Sequence, residues 1–254
     1  MIGMRILARR ACVAGELVQA FSQIPVANVS DCMTRMTAAG PRLRPVHRAG
    51  RLAGAAMTVK TRPGDNLMIH KALDLAGPGD VVVVDGGGDL TNALFGELML
   101  TYAISRGIAG IVLNGAVRDI DMISAASFPV YAAGVTHRGP YKDGPGEINV
   151  PIAIDGMVVQ PGDLILGDAD GVLCVPRDGA QAVLAAAQGK LADEQKTLAH
   201  MAAGTHDTSW VDAALRRLGC DPQPQQAAVL SPAADIAPAV HTRAPDLRAS
   251  RPGS

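Results

Sequence analysis

Val81–Asp85 reads VVVVD. Four consecutive β-branched apolar residues leave no polar face, which suggests a strand covered on both sides, as parallel strands of α/β proteins are. The surrounding segments keep the same rhythm. Leu52–Thr61 reads as a strand, and Asn66–Leu75 has helical spacing, with Leu67, Ile69, Leu73 and Ala76 available for burial. After VVVVD come Gly86-Gly87-Gly88-Asp89, a helix expected at about Thr91–Ser105, and a second buried strand at Ala109–Leu113. Asn114-Gly115 is expected to break that strand, with a helix starting near Asp119. Short strands follow at Phe128–Ala132 and near Asn149–Ile154, Leu164–Leu166 and Val172–Val175, with Gly turns between the last of them, then a long helix over Arg177–Ala203. The first half therefore has the β-α-β-α-β order of parallel strands, the second half is richer in short strands, and the fold class is mixed α/β.

Three zones differ in composition. Residues 1–24 read as a lead-in, with a short amphipathic helix over Arg5–Phe21. Residues 25–218 carry the regular apolar patterning. Residues 219–254 hold six prolines and little periodicity, and read as a flexible tail. Hydrophobic residues make up 48% of the 254, enough for a core. The formal net charge of −1 supplies no general attraction for nucleic acid or an anionic membrane. With one Trp, three Tyr and three Phe there is no material for an aromatic stacking surface either. Cys12, Cys32, Cys174 and Cys220 form no CxxC pair, which speaks against a disulfide scaffold or structural zinc and for a reducing compartment. No run of about 18 apolar residues is present to span a bilayer, and the start lacks the apolar segment of a signal peptide. A cytoplasmic location is the expectation.

Candidate chemistry is sparse. Gly86-Gly87-Gly88 lies where dinucleotide loops occur, but Thr91 stands where the third fingerprint glycine belongs, so a plain strand-to-helix turn explains it. Backbone N–H groups at the start of the following helix would still attract a carboxylate. Asn66 and His70 are four apart and share a helix face. Arg118-Asp119 follows a buried strand at the place where α/β sheets gather ligands. Judged alone, Asp119 is an ordinary helix cap, Arg118 a surface cation, and Glu97 and Glu194 solvated helix positions. Lys142 sits in HRGPYKDGPGE, either a solvated loop or one whose cations hold an anionic substrate.

The order of GDNLMIHKAL, VVVVDGGGD, FGELMLTYAISRGIAGIVLNGAVRD, FPVYAAGVTHRGPYK and GDLILGDADGVLCVP resembles the family that contains the class II 4-hydroxy-4-methyl-2-oxoglutarate/4-carboxy-4-hydroxy-2-oxoadipate aldolases and the regulator of ribonuclease activity A. The resemblance covers about residues 25–200. Its most specific feature is an acid, twenty intervening residues and Arg-Asp, here Glu97 and Arg118-Asp119.

This resemblance implies an αββα sandwich of the RraA-like, swivelling β/β/α type with mixed sheets, assembled as a homotrimer or homohexamer with sites between subunits. It implies retro-aldol cleavage of a 4-hydroxy-2-oxo acid to pyruvate and a keto acid, with oxaloacetate decarboxylation through the same pyruvate enolate, in the breakdown of aromatic compounds. The implied cofactor is a divalent metal, Mg²⁺ or Mn²⁺, held directly by Asp119, with Glu97 and a neighbouring subunit's Glu194 acting through water. Arg118 would stabilise the enolate, the N–H groups of Leu98 and Met99 would take the pyruvyl carboxylate, and Lys142, Asn66 and His70 would face the remote part of the substrate.

The sequence departs from the aldolase pattern at the third position after Asp119, where Met122 replaces an acid; Asp121 lies about 100° round the helix from it. The alternative implied by the same family is a non-catalytic regulator that binds ribonuclease E. Another oxo acid as substrate and a Schiff base on Lys60, Lys71 or Lys142 are further readings. No loop suited to adenosylmethionine is present.

Overall fold

The computed structural model describes residues 2–35 and 37–220. The stretch expected as a Pro/Ala-rich tail lies outside them from residue 221 on. Two compact units divide at Ala203 and Gly204. In the second, the described part is a helix, α7 (Ser209–Arg217), whose first turn is closed by Asp207 accepting the Ser209 N–H.

In the first unit the strands are β1 (Met4–Ile6), β2 (Arg44–Pro45), β3 (Leu52–Thr61), β4 (Asp80–Asp85), β5 (Ala93–Phe95), β6 (Gly110–Val117), β7 (Val130–Val135), β8 (Gly146–Ile148), β9 (Ile152–Ile154), β10 (Met157–Val159), β11 (Leu164–Asp168) and β12 (Gly171–Val175). The helices are α1 (Gly15–Phe21), α2 (Val26–Cys32), α3 (Leu67–Leu75), α4 (Glu97–Ser105), α5 (Ile120–Ala125) and α6 (Ala180–Ala202).

One mixed sheet runs β1-β8-β3-β4-β6-β7-β2, with β5 added on β6 and the β11–β12 hairpin added on β3. The β3, β4, β6 and β7 pairings are parallel, and those of β2, β11 and the β3–β8 edge are antiparallel. A separate β9–β10 hairpin lies over the sheet.

The VVVVD run behaves as its composition demands. Val82 and Val84 join the core under α3 and α4, while Val81 and Val83 join the core on the opposite face with Val112, Tyr131 and the β9–β10 hairpin. All four valines are fully buried, each a contribution of about 1.5–3 kcal/mol by transfer of its side chain from water. A third apolar cluster packs α1, α2 and α6 against β11 and β12. Helices therefore enclose the strands from both sides, the αββα arrangement that the resemblance implied.

Several local expectations change. The helix expected over Arg5–Phe21 begins only at Gly15, because Met4–Ile6 pairs in parallel with β8 and the arginines have distant partners. Arg5 ion-pairs with Glu147, and Arg9 forms a fork to both oxygens of Asp80 at 2.7 and 2.9 Å. The helix expected from Thr91 begins at Glu97, since buried Ala93-Leu94-Phe95 pairs with β6 instead. Asn114-Gly115 does not end β6: the strand continues, fully buried, to Val117, and the irregularity appears as a register shift against β7. On α3, Met68 and Ala72 join Ile69 and Leu73 inside, whereas Leu67 is 37% exposed.

Candidate active site

Strand β6 ends by delivering Arg118 and Asp119 beside the end of β5, and the Arg118 N–H donates to Phe95 O at 3.0 Å. Asp119 adopts a left-handed backbone, φ 56°, a conformation in which Asp is several-fold enriched over most residues. It precedes α5 yet makes no side-chain cap to that helix. Its Oδ2 instead accepts the Glu97 N–H at 2.9 Å and so caps α4. The ordinary cap that the sequence suggested is thus a cap on a different helix, and it holds the carboxylate against the first turn of α4. The other oxygen, Oδ1, has no protein hydrogen-bond partner among the described residues. Arg118 Nε lies 3.7 Å from Asp119 Oδ2.

Gly96 makes this proximity feasible. A Cβ there would stand 2.5 Å from Asp119 Oδ2 and 3.0 Å from Arg118 Cγ. The N–H groups of Leu98 and Met99 belong to the first helical turn, where backbone donors have no carbonyl of the helix to meet. Asn66 precedes α3. Its Nδ2 donates to Leu94 O at 3.1 Å, and its buried Oδ1 has no partner among the described residues.

These pieces surround one cleft of about 410 Å³, open mouth included, lined by Asn66, His70, Leu98, Met99, Arg118, Asp119 and Lys142 together with Ala93, Leu94, Phe95, Gly96 and Pro140. Seven of the sequence candidates therefore meet in one place. Gly96 and Pro140 were not anticipated; Gly96, just ahead of a helix and between two apolar runs, was the readable signal.

Glu97 contributes its backbone to the arrangement, but its side chain is exposed and does not line the cleft. Glu194 lies on α6, away from the cleft of its own chain, bonded to Asn28 and Lys190. The Asn28 amide first and the Lys190 ammonium second lower its carboxyl pKa. Met122 is half exposed on α5 and does not line the cleft.

His70 titrates below the ordinary 6.5, through desolvation against the cleft wall and then through the positive charge of Lys142. Between its lowered folded value and the unfolded one, the unfolded chain binds more protons, so this group makes stability rise with pH across that window. A proton NMR titration of His70 should give a midpoint below 6.5 that moves up in Lys142→Ala; an unmoved midpoint would separate the two side chains.

Among the described residues no three His, Cys, Asp or Glu side chains gather into a metal cage. Asp119, one carboxylate with a free oxygen, meets the minimum of a hard cation that keeps most of its water and takes one or two carboxylates.

Fold and cleft define a mixed α/β sandwich protein with a cleft at the carboxyl ends of parallel strands. The chain belongs to the RraA-like, Aldolase/RraA family, whose pattern matches residues 26–174. A Halalkalibacterium halodurans relative, provisionally named 4-hydroxy-4-methyl-2-oxoglutarate aldolase, is 41% identical over 180 residues, covering 71% of this chain and 86% of its own. The 4-hydroxy-4-methyl-2-oxoglutarate aldolase of Thermus thermophilus is 38% identical over 126 residues, 50% of this chain and 76% of its own. The solved structure of the RNA-processing inhibitor RraA from Thermus thermophilus superposes with a TM-score of 0.57 at 33% identity, over 61% of this chain and 93% of its own. No described helix is long and apolar enough to cross a membrane.

Proposed function

We propose that the chain is a divalent-metal-dependent lyase that cleaves a 4-hydroxy-2-oxo acid, of the 4-hydroxy-4-methyl-2-oxoglutarate or 4-carboxy-4-hydroxy-2-oxoadipate type, to pyruvate and a second keto acid. The observation that carries this reading is the meeting of Arg118, Asp119 and the open first turn of α4 in one cleft with Asn66 and Lys142. The aldolase names of relatives support it.

The Leu98 and Met99 N–H groups receive the pyruvyl carboxylate, with the helix end favouring its charge. Arg118 donates to the 2-oxo oxygen, which becomes the enolate oxygen when the C3–C4 bond breaks and the 4-hydroxyl gives its proton to water in the cleft; C3 of the enolate then takes a proton from water to give pyruvate. The Arg118 guanidinium already lies beside Asp119, with Nε 3.7 Å from Oδ2, so a donor is at hand where the charge develops. Asp119, with Glu97 beside it and Glu194 from a neighbouring subunit of a trimer or hexamer, would hold Mg²⁺ or Mn²⁺. When bound, such a cation supplies positive charge that stabilises the enolate. Lys142, Asn66 and His70 meet the remote part of the substrate; the buried, partnerless Asn66 Oδ1 is free to accept a hydroxyl hydrogen. Loss of carbon dioxide from oxaloacetate leaves the same enolate and follows as a side activity.

The test is pyruvate release, coupled to lactate dehydrogenase, from oxaloacetate and a panel of 4-hydroxy-2-oxo acids, with enzyme-free controls containing metal. EDTA should lower release by at least about 100-fold, and Mg²⁺ or Mn²⁺ should restore it. No metal-dependent release from any acid would refute the reading. A second reading, a regulator that binds ribonuclease E, draws on the likeness to the RNA-processing inhibitor RraA. Capture of ribonuclease E together with an inert panel would favour it.

A further inference from the structure

We infer that Asp65 is a positioning residue that sets the remote, chain-length-reading half of the cleft by holding Lys142 and Asn66 in register; this rests on the lyase reading above. Asp65 is fully buried, and its carboxylate collects donors from two segments distant in sequence. Oδ1 accepts the Leu67 N–H at 3.0 Å, at the start of α3. Oδ2 accepts the N–H groups of Asp143 at 2.7 Å and Gly144 at 2.8 Å, and a guanidinium N–H of Arg62 at 3.2 Å. The backbone doubles the link: the Asn66 N–H donates to Tyr141 O at 3.0 Å, and the Tyr141 N–H donates to Gly64 O at 2.8 Å.

Lys142 is therefore fastened on both sides, through Tyr141 and through Asp143, to the short stretch that carries Asn66 and leads into His70. Asp65 itself takes no donor from Arg118, Asp119 or α4, which are organised by β5 and β6; the stretch it holds meets them through Asn66 Nδ2, which donates to Leu94 O at 3.1 Å and to Met99 Sδ at 3.5 Å. The Asp65 carboxylate therefore supports the Lys142 and Asn66 half of the cleft directly and the Arg118–Asp119 half only through Asn66.

The charge itself is required. A buried carboxylate is tolerated only where its lone pairs are met, and here four donors meet them. In Asp65→Asn, an amide NH₂ must face either Leu67 N–H or the Asp143 and Gly144 N–H groups, so at least one donor is repelled whichever way the amide turns. The 141–144 segment then loses its register, and Lys142 moves with it.

The test compares two reactions in the full-length enzyme with metal. One is cleavage of a 4-carboxy-4-hydroxy-2-oxoadipate-type acid, which needs the remote half. The other is exchange of the pyruvate methyl protons with deuterium, followed by NMR, which needs only the Arg118–Asp119 half. Asp65→Asn should raise KM for the long acid about 10–100-fold and leave pyruvate exchange within about twofold of wild type. It should add little to Lys142→Ala in the double variant, because both changes remove one contact. Equal loss in both reactions, or additive effects with Lys142→Ala, would overturn the inference. Should Asp65→Asn fail to give a cooperative melt, Arg62→Gln, which removes the half-exposed donor and the guanidinium over the Tyr141 ring but leaves the three backbone donors of Asp65, should show the same split at several-fold size; absence of a split there overturns it too. A wild-type protein that neither cleaves the acid nor exchanges pyruvate sinks the lyase reading itself, which an intact exchange reaction distinguishes from failure of the Asp65 assignment.

Discussion

Asp119→Asn is expected to cut metal-dependent pyruvate release by about 100–1,000-fold while the protein melts close to wild type. Asn is the discriminating replacement. It tolerates the left-handed backbone at φ 56°, where Ala would add strain. Its side-chain oxygen still accepts the Glu97 N–H, so the cap on α4 survives. What disappears is the negative charge and the anionic oxygen that faces the cleft. Retained activity in Asp119→Asn would show that the carboxylate is only a cap, the reading that its sequence position alone favours.

Gly96→Ala should have an effect of comparable size from a single methyl group. The backbone at Gly96 is extended, φ −157°, so alanine brings no conformational strain. The added carbon would lie 2.5 Å from Asp119 Oδ2, 3.0 Å from Arg118 Cγ and 3.3 Å from Arg118 Nε. The carboxylate must leave the Glu97 N–H, and the guanidinium must turn with it. Displacements of about 1 Å at reacting groups cost on the order of 100-fold in rate. The lost cap is worth about 1 kcal/mol, a fall of about 2–4 °C in Tm for a protein of this size. Activity near wild type with a lowered Tm would mean that the placement of Asp119 beside α4 serves folding and not chemistry.

The parts of this protein legible in its sequence are those specified locally. Four valines in succession announce a strand buried on both faces whatever their partners are. Arg118-Asp119 after a buried strand marks a place where ligands gather, although the local reading ended that strand at Asn114-Gly115 and β6 runs on to Val117. The parts that were not legible depend on partners far along the chain. Met4–Ile6 forms a strand only because Gly146–Ile148 offers an edge to it. Ala93-Leu94-Phe95 is an apolar run too short for periodicity to separate strand from helix, and β6 decides the matter by pairing with it. Asp65 reads as one more acid before a helix, since its two strongest donors lie 78 and 79 positions away.

The pairing of β1 with β8 reaches further than the edge of the sheet. The Gly146 N–H donates to Gly3 O at 2.8 Å, and Glu147, next along β8, takes the Gly3 N–H and the Arg5 side chain. The opening residues thus brace the strand into which the Lys142 loop descends. A substitution at Gly3 or Arg5 is expected to alter the footing of that lysine while the identity of every cleft residue is unchanged. A comparison of homologues restricted to cleft side chains would miss this contribution to the placement of Lys142.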